Sequence, residues 1–266
     1  MTVELIAPAK LTVGLRITGV RADSYHLIDA EMVTLSLHDT LTITEVHGTK
    51  VRGTEIPGTE TEGMPELTAS GPYSAGMPLD GTNLVHRALR LANRNAAIHV
   101  DKQIPHGGGL GGGSSDAAAV LRWAGYTDLA GAATIGADVP FCLVGGRARV
   151  RGIGELVDPL PFVKRAFTLI IPPLTVSTPA AYAAWDALGG PSADGVNDLE
   201  PAAIAVEPRL AWWRDKIGNA TGQTPVLAGS GATWFVHGEH DNALAALSNE
   251  GAKVVAVGTT PSTSQQ

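Results

Sequence analysis

Short runs of alternating apolar and polar positions fill the first 46 residues. Leu5-Ile6 and the stretches 11–17, 30–37 and 39–46 each read as β-strand, with a turn-rich segment at 19–24 between the second and third. Residues 47–82 are rich in Gly, Pro, Thr and Glu and read as irregular, with room for short edge strands. The pattern then changes period: Leu84, Ala88, Leu91 and Ala92 share one face, which predicts a helix over 83–93. A strand at 97–101 runs through Ile104-Pro105 into a glycine tract. An Ala-rich helix over 117–124 follows, with Ser114, Ser115 and Asp116 as N-cap signals. Residues 128–135 read as a short helix, and 141–144 and 148–151 as strands.

The pattern restarts near Pro161. Residues 167–171 form a continuous apolar run stopped by Pro172-Pro173, as expected of a buried strand. Helices are expected over 178–188 (opened by Pro179), 197–205, 208–217 and 242–247, and strands over 225–227, 233–236 and 254–257. The polar stretch 259–266 reads as a frayed tail. With no repeat of 20–50 residues, 266 residues suit two α+β halves, 1–158 and 159–266.

Composition narrows the function classes. The chain has 19 Lys and Arg against 26 Asp and Glu, a net charge of −7, which argues against a nucleic-acid backbone as partner but not against a small anion held by local donors. One cysteine, Cys142, excludes an internal disulfide framework and a cysteine-rich metal site, and reads as a small core residue. No apolar run nears the roughly 18–20 residues that cross a bilayer. No basic segment leads into an apolar one at the start. The expected setting is cytoplasmic, without membrane. His237 and His240 have metal-pair spacing but no third ligand nearby, and read as an exposed turn.

The informative excess is glycine. Six of the seven residues from 107 to 113 are Gly, interrupted only by Leu110, between a strand and a helix. Bare backbone lets N–H groups crowd a ligand without Cβ obstruction, and a helix N-terminus adds free N–H groups and the positive end of its dipole. Together these make an anion cradle, most often for phosphate. Gly107, Gly109 and Gly112 satisfy G-x-G-x-x-G, but a poly-Gly run does so by chance, and the tract lies too far along the chain for a first-strand dinucleotide loop. No Lys precedes Ser114, so the P-loop pattern fails, and the protein-kinase H-R-D and D-F-G motifs are absent.

Pro105-His106-Gly107-Gly108-Gly109-Leu110-Gly111-Gly112-Gly113-Ser114-Ser115-Asp116-Ala117-Ala118 resembles the signature of the GHMP small-molecule kinases. Ala7-Pro8-Ala9-Lys10-Leu11-Thr12, Ala22-Asp23-Ser24-Tyr25-His26, Gly136-Ala137-Asp138-Val139-Pro140, Asn197-Asp198-Leu199-Glu200 and Leu227-Ala228-Gly229-Ser230-Gly231-Ala232-Thr233 resemble further segments of that family, in the expected order. The resemblance is closest to the branch serving the non-mevalonate isoprenoid precursor pathway. It implies a two-domain α+β fold, with a ribosomal-protein-S5-like N-terminal domain binding ATP, and a cleft between the halves.

The resemblance also implies roles. Pro105, His106, Gly107, Gly108, Gly109, Leu110, Gly111, Gly112, Gly113, Ser114 and Ser115 would cradle the ATP phosphates, with Asn83 and Lys102 at the nucleotide end. No side chain is a resident metal ligand; Mg²⁺ would arrive with ATP, and the hydroxyl of Ser114 or Ser115 could touch it or only cap the helix. Asp138 would accept or orient the acceptor hydroxyl's proton, and Lys10 would pair with it and offset charge on the moving phosphoryl. Tyr25, His26 and Tyr182 would receive a cytosine ring, Thr12 would touch substrate, and residues 229–231 would close near the site. Thr12 stands where the family commonly has Asn, and Ser24 where it has Gly. The expected partners are ATP and a cytidine diphosphate derivative of methylerythritol phosphorylated on its 2-hydroxyl, and the chain is expected to be a monomer or homodimer. A kinase of the same fold for a homoserine- or mevalonate-type alcohol, and a non-catalytic nucleotide binder, are the alternatives.

Overall fold

The computed structural model describes residues 1–46 and 65–262; the reading of 47–64 as irregular falls outside them. Where the pattern predicts four strands, the protein has two long ones, β1 (Thr2–Val20) and β2 (His26–Glu45), paired antiparallel along their whole length. The positions that interrupt the alternation coincide with register shifts at Pro8/Lys10, Thr12/Gly14 and Ile17/Gly19. Bulges let a strand absorb such residues, bending it and re-aiming side chains instead of ending it. Two of these shifts flank Lys10 and Thr12. The intervening turn holds Ser24 at φ +67°, a left-handed conformation that glycine adopts more readily.

The other edge of β2 is shared. Its C-terminal half pairs with β4 (Ala96–Asp101) and its N-terminal half with β5 (Arg147–Gly152); β3 (Leu67–Ser70) and β6 (Leu156–Pro159) complete a six-stranded sheet in the order β3-β4-β2-β5-β6, with β1 alongside β2. Helices α1 (Leu84–Leu91), α2 (Gly112–Trp123), α3 (Leu129–Ala133) and α4 (Val139–Val144) accompany this sheet, and Ala117, Ala118, Val120 and Leu121 of α2 are buried in its core. Helix α4 replaces the strand expected at 141–144. A four-residue apolar run suits either state; Pro140 in the first turn and the turn at Gly136–Val139 start a helix here.

The second half contributes an antiparallel sheet in the order β10-β7-β9-β8, from β7 (Ala166–Ile171), β8 (Val226–Leu227), β9 (Trp234–His237) and β10 (Lys253–Gly258). Helices α5 (Thr178–Ala187), α6 (Glu200–Val206), α7 (Arg209–Thr221) and α8 (Asp241–Leu244), with a 3₁₀ turn at Ala245–Glu250, surround it. A third apolar cluster joins the halves: Ala9, Leu11, Val33 and Leu35 from the first sheet meet Phe167, Leu169 and Phe235 from the second, with Leu110 among them. The expected frayed tail is docked over its described part. Thr259 bridges Leu35, the Thr260 amide donates to the Thr34 carbonyl at 2.9 Å, and Ser262 is buried.

Leu110 is fully buried although glycines flank it on both sides. Removing its side chain leaves a cavity in the cluster that joins the halves. Leu110→Ala should lower the unfolding free energy by about 2–5 kcal/mol in denaturant melts; a loss below about 1 kcal/mol would show that the side chain does not anchor the tract.

Candidate active site

The glycine tract leaves β4 through Ile104 and Pro105 and enters α2 at Gly112, with Gly111 as the N-cap. Residues 104–114 and Leu84 line a groove of about 250 Å³. The tract is pinned at its centre: the Lys10 amide donates to the Leu110 carbonyl at 3.0 Å while the Leu110 side chain enters the core. Two glycines mark backbone approaches that a side chain would block. A Cβ on Gly109 (φ +74°) would sit 2.4 Å from the Ala228 carbonyl oxygen, and one on Gly111 (φ +68°) 2.7 Å from Lys10 Cγ. The tract is therefore clamped between β1 and the turn at 228–231 of the second half.

The Lys10 side chain is buried, and its Nζ lies 3.1 Å from Asp138 Oδ2 and 3.2 Å from Thr12 Oγ1. Asp138 occupies the N-cap position of α4 without capping through its side chain, and 31 % of that side chain remains exposed. Its carboxylate is thus free to meet a ligand. Gly229 approaches the same ammonium: a Cβ there would stand 3.8 Å from Lys10 Nζ and from Thr12 Oγ1. The buried Asn197 amide holds that turn, donating to the carbonyls of Leu227 (2.9 Å) and Gly229 (2.7 Å), and Asp198 ties it to β1 through Arg16 and the Ile17 amide.

Beyond Thr12, β2 begins with His26, whose ring lies 4.7 Å from Tyr182 and 5.6 Å, edge-on, from Trp185; its Nε2 is 2.8 Å from Asp186 Oδ1. Helix α5 presents all three partners. Burial, with the Asp138 charge adding to it, pushes the Tyr182 hydroxyl up to about 12. Tyr25 departs from the expected sandwich. It is 58 % exposed, and its ring centre lies 5.9 Å from the Arg21 guanidinium. Trp185, absent from the sequence reading, takes the place beside His26; its signal was the three-residue spacing from Tyr182 on one helix face.

Residues 83–146 match the family described as GHMP kinases N terminal domain. The chain is 37% identical over 248 residues to the 4-diphosphocytidyl-2-C-methyl-D-erythritol kinase of Paracoccus denitrificans, covering 86% of this chain and 84% of that one. It is 34% identical to the enzyme of the same name from Ruegeria pomeroyi, with 88% of each chain covered. The crystal structure of a 4-(cytidine 5'-diphospho)-2C-methyl-D-erythritol kinase superposes with a TM-score of 0.72 at 30% identity, covering 97% of this chain and 99% of that one. The chain belongs to the 4-diphosphocytidyl-2-C-methyl-D-erythritol kinase family of GHMP kinases.

Not every residue expected at the nucleotide site of this kinase faces the groove. Ser114 lines it, but Ser115 is buried and donates its hydroxyl to the Pro8 carbonyl at 2.6 Å, fixing α2 to β1. Asn83 caps α1: its Oδ1 accepts from the Val85 amide at 2.8 Å and its Nδ2 donates to the Pro78 carbonyl. Lys102 is fully buried beneath the tract, its Nζ 2.5 Å from Asp39 Oδ2 and 2.7 Å from Asp116 Oδ2, and 3.3 Å from where a Cβ on Gly112 would stand. Its charge is committed to carboxylates, so it supports the cradle from below. Leu110 likewise enters the cradle through its backbone alone. His237 and His240 share Gln223: Gln223 Oε1 accepts from the His237 amide and Gln223 Nε2 lies 2.7 Å from His240 Nε2. Cys142 is buried, which pushes its thiol up to about 12 and leaves it unreactive.

The charge cluster under the tract is unbalanced. Burial opposes the Lys102 charge, but Asp116 and Asp39 outweigh it and hold its pKa above the ordinary lysine value. Asp39 also accepts from the Gln103 and Ile104 amides. Burial, reinforced by the Asp39 charge, outweighs Lys102 and pushes Asp116 up from 3.8 to about 7. Between those two values the unfolded chain releases the proton first, so the folded form holds more protons and Asp116 costs stability as pH rises; above about 7 the cost is constant. Asp116→Asn removes this titration. Its stability relative to wild type should rise from pH 4 to 7 and level off beyond, as read by urea melts at each pH. Parallel profiles would contradict the assignment.

Proposed function

We propose that this kinase transfers the γ-phosphoryl of ATP to the 2-hydroxyl of 4-diphosphocytidyl-2-C-methyl-D-erythritol. The observation that carries the reading is the Lys10–Asp138 pair, 3.1 Å apart, beside a glycine tract clamped open at a helix N-terminus. Phosphoryl transfer asks a protein chiefly for positioning and for neutralisation of charge on the equatorial oxygens. Backbone amides of residues 107–113 and the first turn of α2 would hold the phosphate tail. Asp138 would orient the acceptor hydroxyl and take its proton, and Lys10, already beside it, would offset negative charge on the moving group. Mg²⁺ carried with ATP would neutralise phosphate charge; Ser114, whose residue lines the groove, is the serine available to it, since the Ser115 hydroxyl is spent on Pro8.

The base end of the substrate would enter beside His26, Tyr182 and Trp185. A flat ring is held by an aromatic face and by donors and acceptors on its edge, and the Asp186–His26 hydrogen bond fixes the imidazole that would offer the edge contact. This pocket favours a cytidylated acceptor over a homoserine- or mevalonate-type alcohol, which has no ring to stack. Thr12 is shorter than the Asn common in the family and donates no amide. With its hydroxyl facing Lys10, its contribution would be to seat the lysine.

Asp138→Asn should reduce kcat by about 10²–10⁴-fold while leaving the Kd of a non-hydrolysable ATP analogue within about threefold. Near-normal turnover would remove Asp138 from the chemistry. Tyr182→Leu should raise KM for the cytidylated substrate about tenfold or more, with the KM for ATP unchanged. CDP should compete with that substrate in the wild type. Failure of CDP to compete, together with turnover of homoserine or mevalonate, would favour the small-alcohol reading.

A further inference from the structure

A second cavity, of about 220 Å³, shares no lining residue with the glycine groove. It is built from Thr34, Leu35, Ser36 and His38 of β2 together with other parts of the three elements that carry the site. Pro8 on β1 is two residues before Lys10, Cys142 on α4 is one turn beyond Asp138, and Arg122 on α2 lies about 15 Å along the helix from Gly112. The docked tail closes one side through Thr260 and Pro261. At roughly 30 Å³ per water in the liquid, the space would take about seven waters, or a ligand of similar heavy-atom count.

The walls are mainly apolar, supplied by Ile6, Pro8, Phe141 and Cys142, and among the described residues no carboxylate lines the cavity. The cations are Arg122 and, when protonated, His38. Arg122 donates to the Cys142 carbonyl at 2.6 Å and, at a longer 3.4 Å, to the Ile6 carbonyl. Two of its five N–H groups are thereby used. Among the described residues no Asp or Glu forms an ion pair with it, whereas Lys10, Lys102, Arg147, Arg165 and Arg214 each have one; half-buried Arg87, which donates to the Thr134 carbonyl, is the other without. Burial pulls the Arg122 pKa below the ordinary guanidinium value. A half-buried cation with no carboxylate partner carries a desolvation cost, and an anion supplied by a ligand would offset it. Its two carbonyl contacts bridge α4 to β1, but a neutral donor would serve for that bridging alone.

We propose that this cavity is a binding site for a small amphipathic anion: a carboxylate or phosphate head met by the free N–H groups of Arg122, on a short apolar body lying against Ile6 and Phe141. An occupant would touch β1, α2 and α4 behind Lys10, the cradle and Asp138 without entering the groove.

The test is calorimetric titration of the full chain, without substrate, using hexanoate, hexyl phosphate and the neutral hexanol. Saturable binding of hexanoate or hexyl phosphate at one site is expected, with hexanol weaker by about tenfold or more; whichever anion binds tighter identifies the head group. Arg122→Gln, which keeps a donor for the Cys142 carbonyl, should erase that preference, and Arg122→Lys should retain part of it. Ile6→Trp, at a half-exposed wall position, should block the anion even if the Arg122 variants fail to fold. Saturating ADP should leave the affinity unchanged. No saturable binding, equal affinity for hexanol, unchanged affinity in Arg122→Gln and Ile6→Trp, or displacement by ADP would each overturn the proposal. Because the readout is binding without turnover, it stands apart from the fate of the proposed reaction.

Discussion

A backbone stretch that is almost all glycine loses more conformational freedom on ordering than any other sequence, yet a phosphate cradle must be ordered before its ligand arrives. One side chain and one hydrogen bond resolve this conflict. Leu110 enters the apolar cluster that joins the two halves, and its carbonyl accepts from the Lys10 amide. The bare residues on either side are then held from opposite directions, Gly111 against the stem of Lys10 and Gly109 against the turn at 228–231. The same contact that orders the tract also sets the lysine beside it, so the proposed phosphate cradle and the proposed chemical group are positioned together.

The electrostatics follow a related division. An anion cradle benefits from positive charge nearby but would be blocked by a side chain that filled it. Lys10 supplies charge at the rim, shared with a partly exposed carboxylate. Lys102 lies below, its charge committed to Asp39 and Asp116 and separated from the groove by the tract itself. The first pair is partly open to the groove side and the second is sealed, acting through the backbone it supports. Asn197 and Asp198 act at one further remove, fixing the turn that presses on Gly109.

Much of this was legible in the sequence. The strand–glycine–helix junction, the basis for the proposed anion cradle, was plain from residue types alone, and the ordered motifs named the family that the comparisons support. The helix at 83–93 appeared close to its expected limits because its periodicity was unambiguous, and the one at 178–188 because Pro179 marks its first turn. What stayed hidden depends on partners distant in sequence. Pro8 and Gly19 look like strand breakers until β2 supplies a register that bulges around them. The run at 141–144 fits strand or helix equally until Pro140 and the preceding turn decide. Nothing local says that Ser115 turns to Pro8 while Ser114 faces the groove, that Lys102 is enclosed by an Asp 63 residues away, or that Tyr25 points outward and Trp185 inward. Those choices belong to packing, which single-sequence patterns describe poorly.

The most direct test of the central claim is a crystal structure of the full chain with a non-hydrolysable ATP analogue and the cytidylated acceptor bound. The account predicts phosphate oxygens within about 3 Å of amides in residues 107–113, with the acceptor hydroxyl in hydrogen-bond reach of Asp138. A phosphate tail seated away from the tract, or an acceptor hydroxyl turned from Asp138 with both ligands in place, would contradict it.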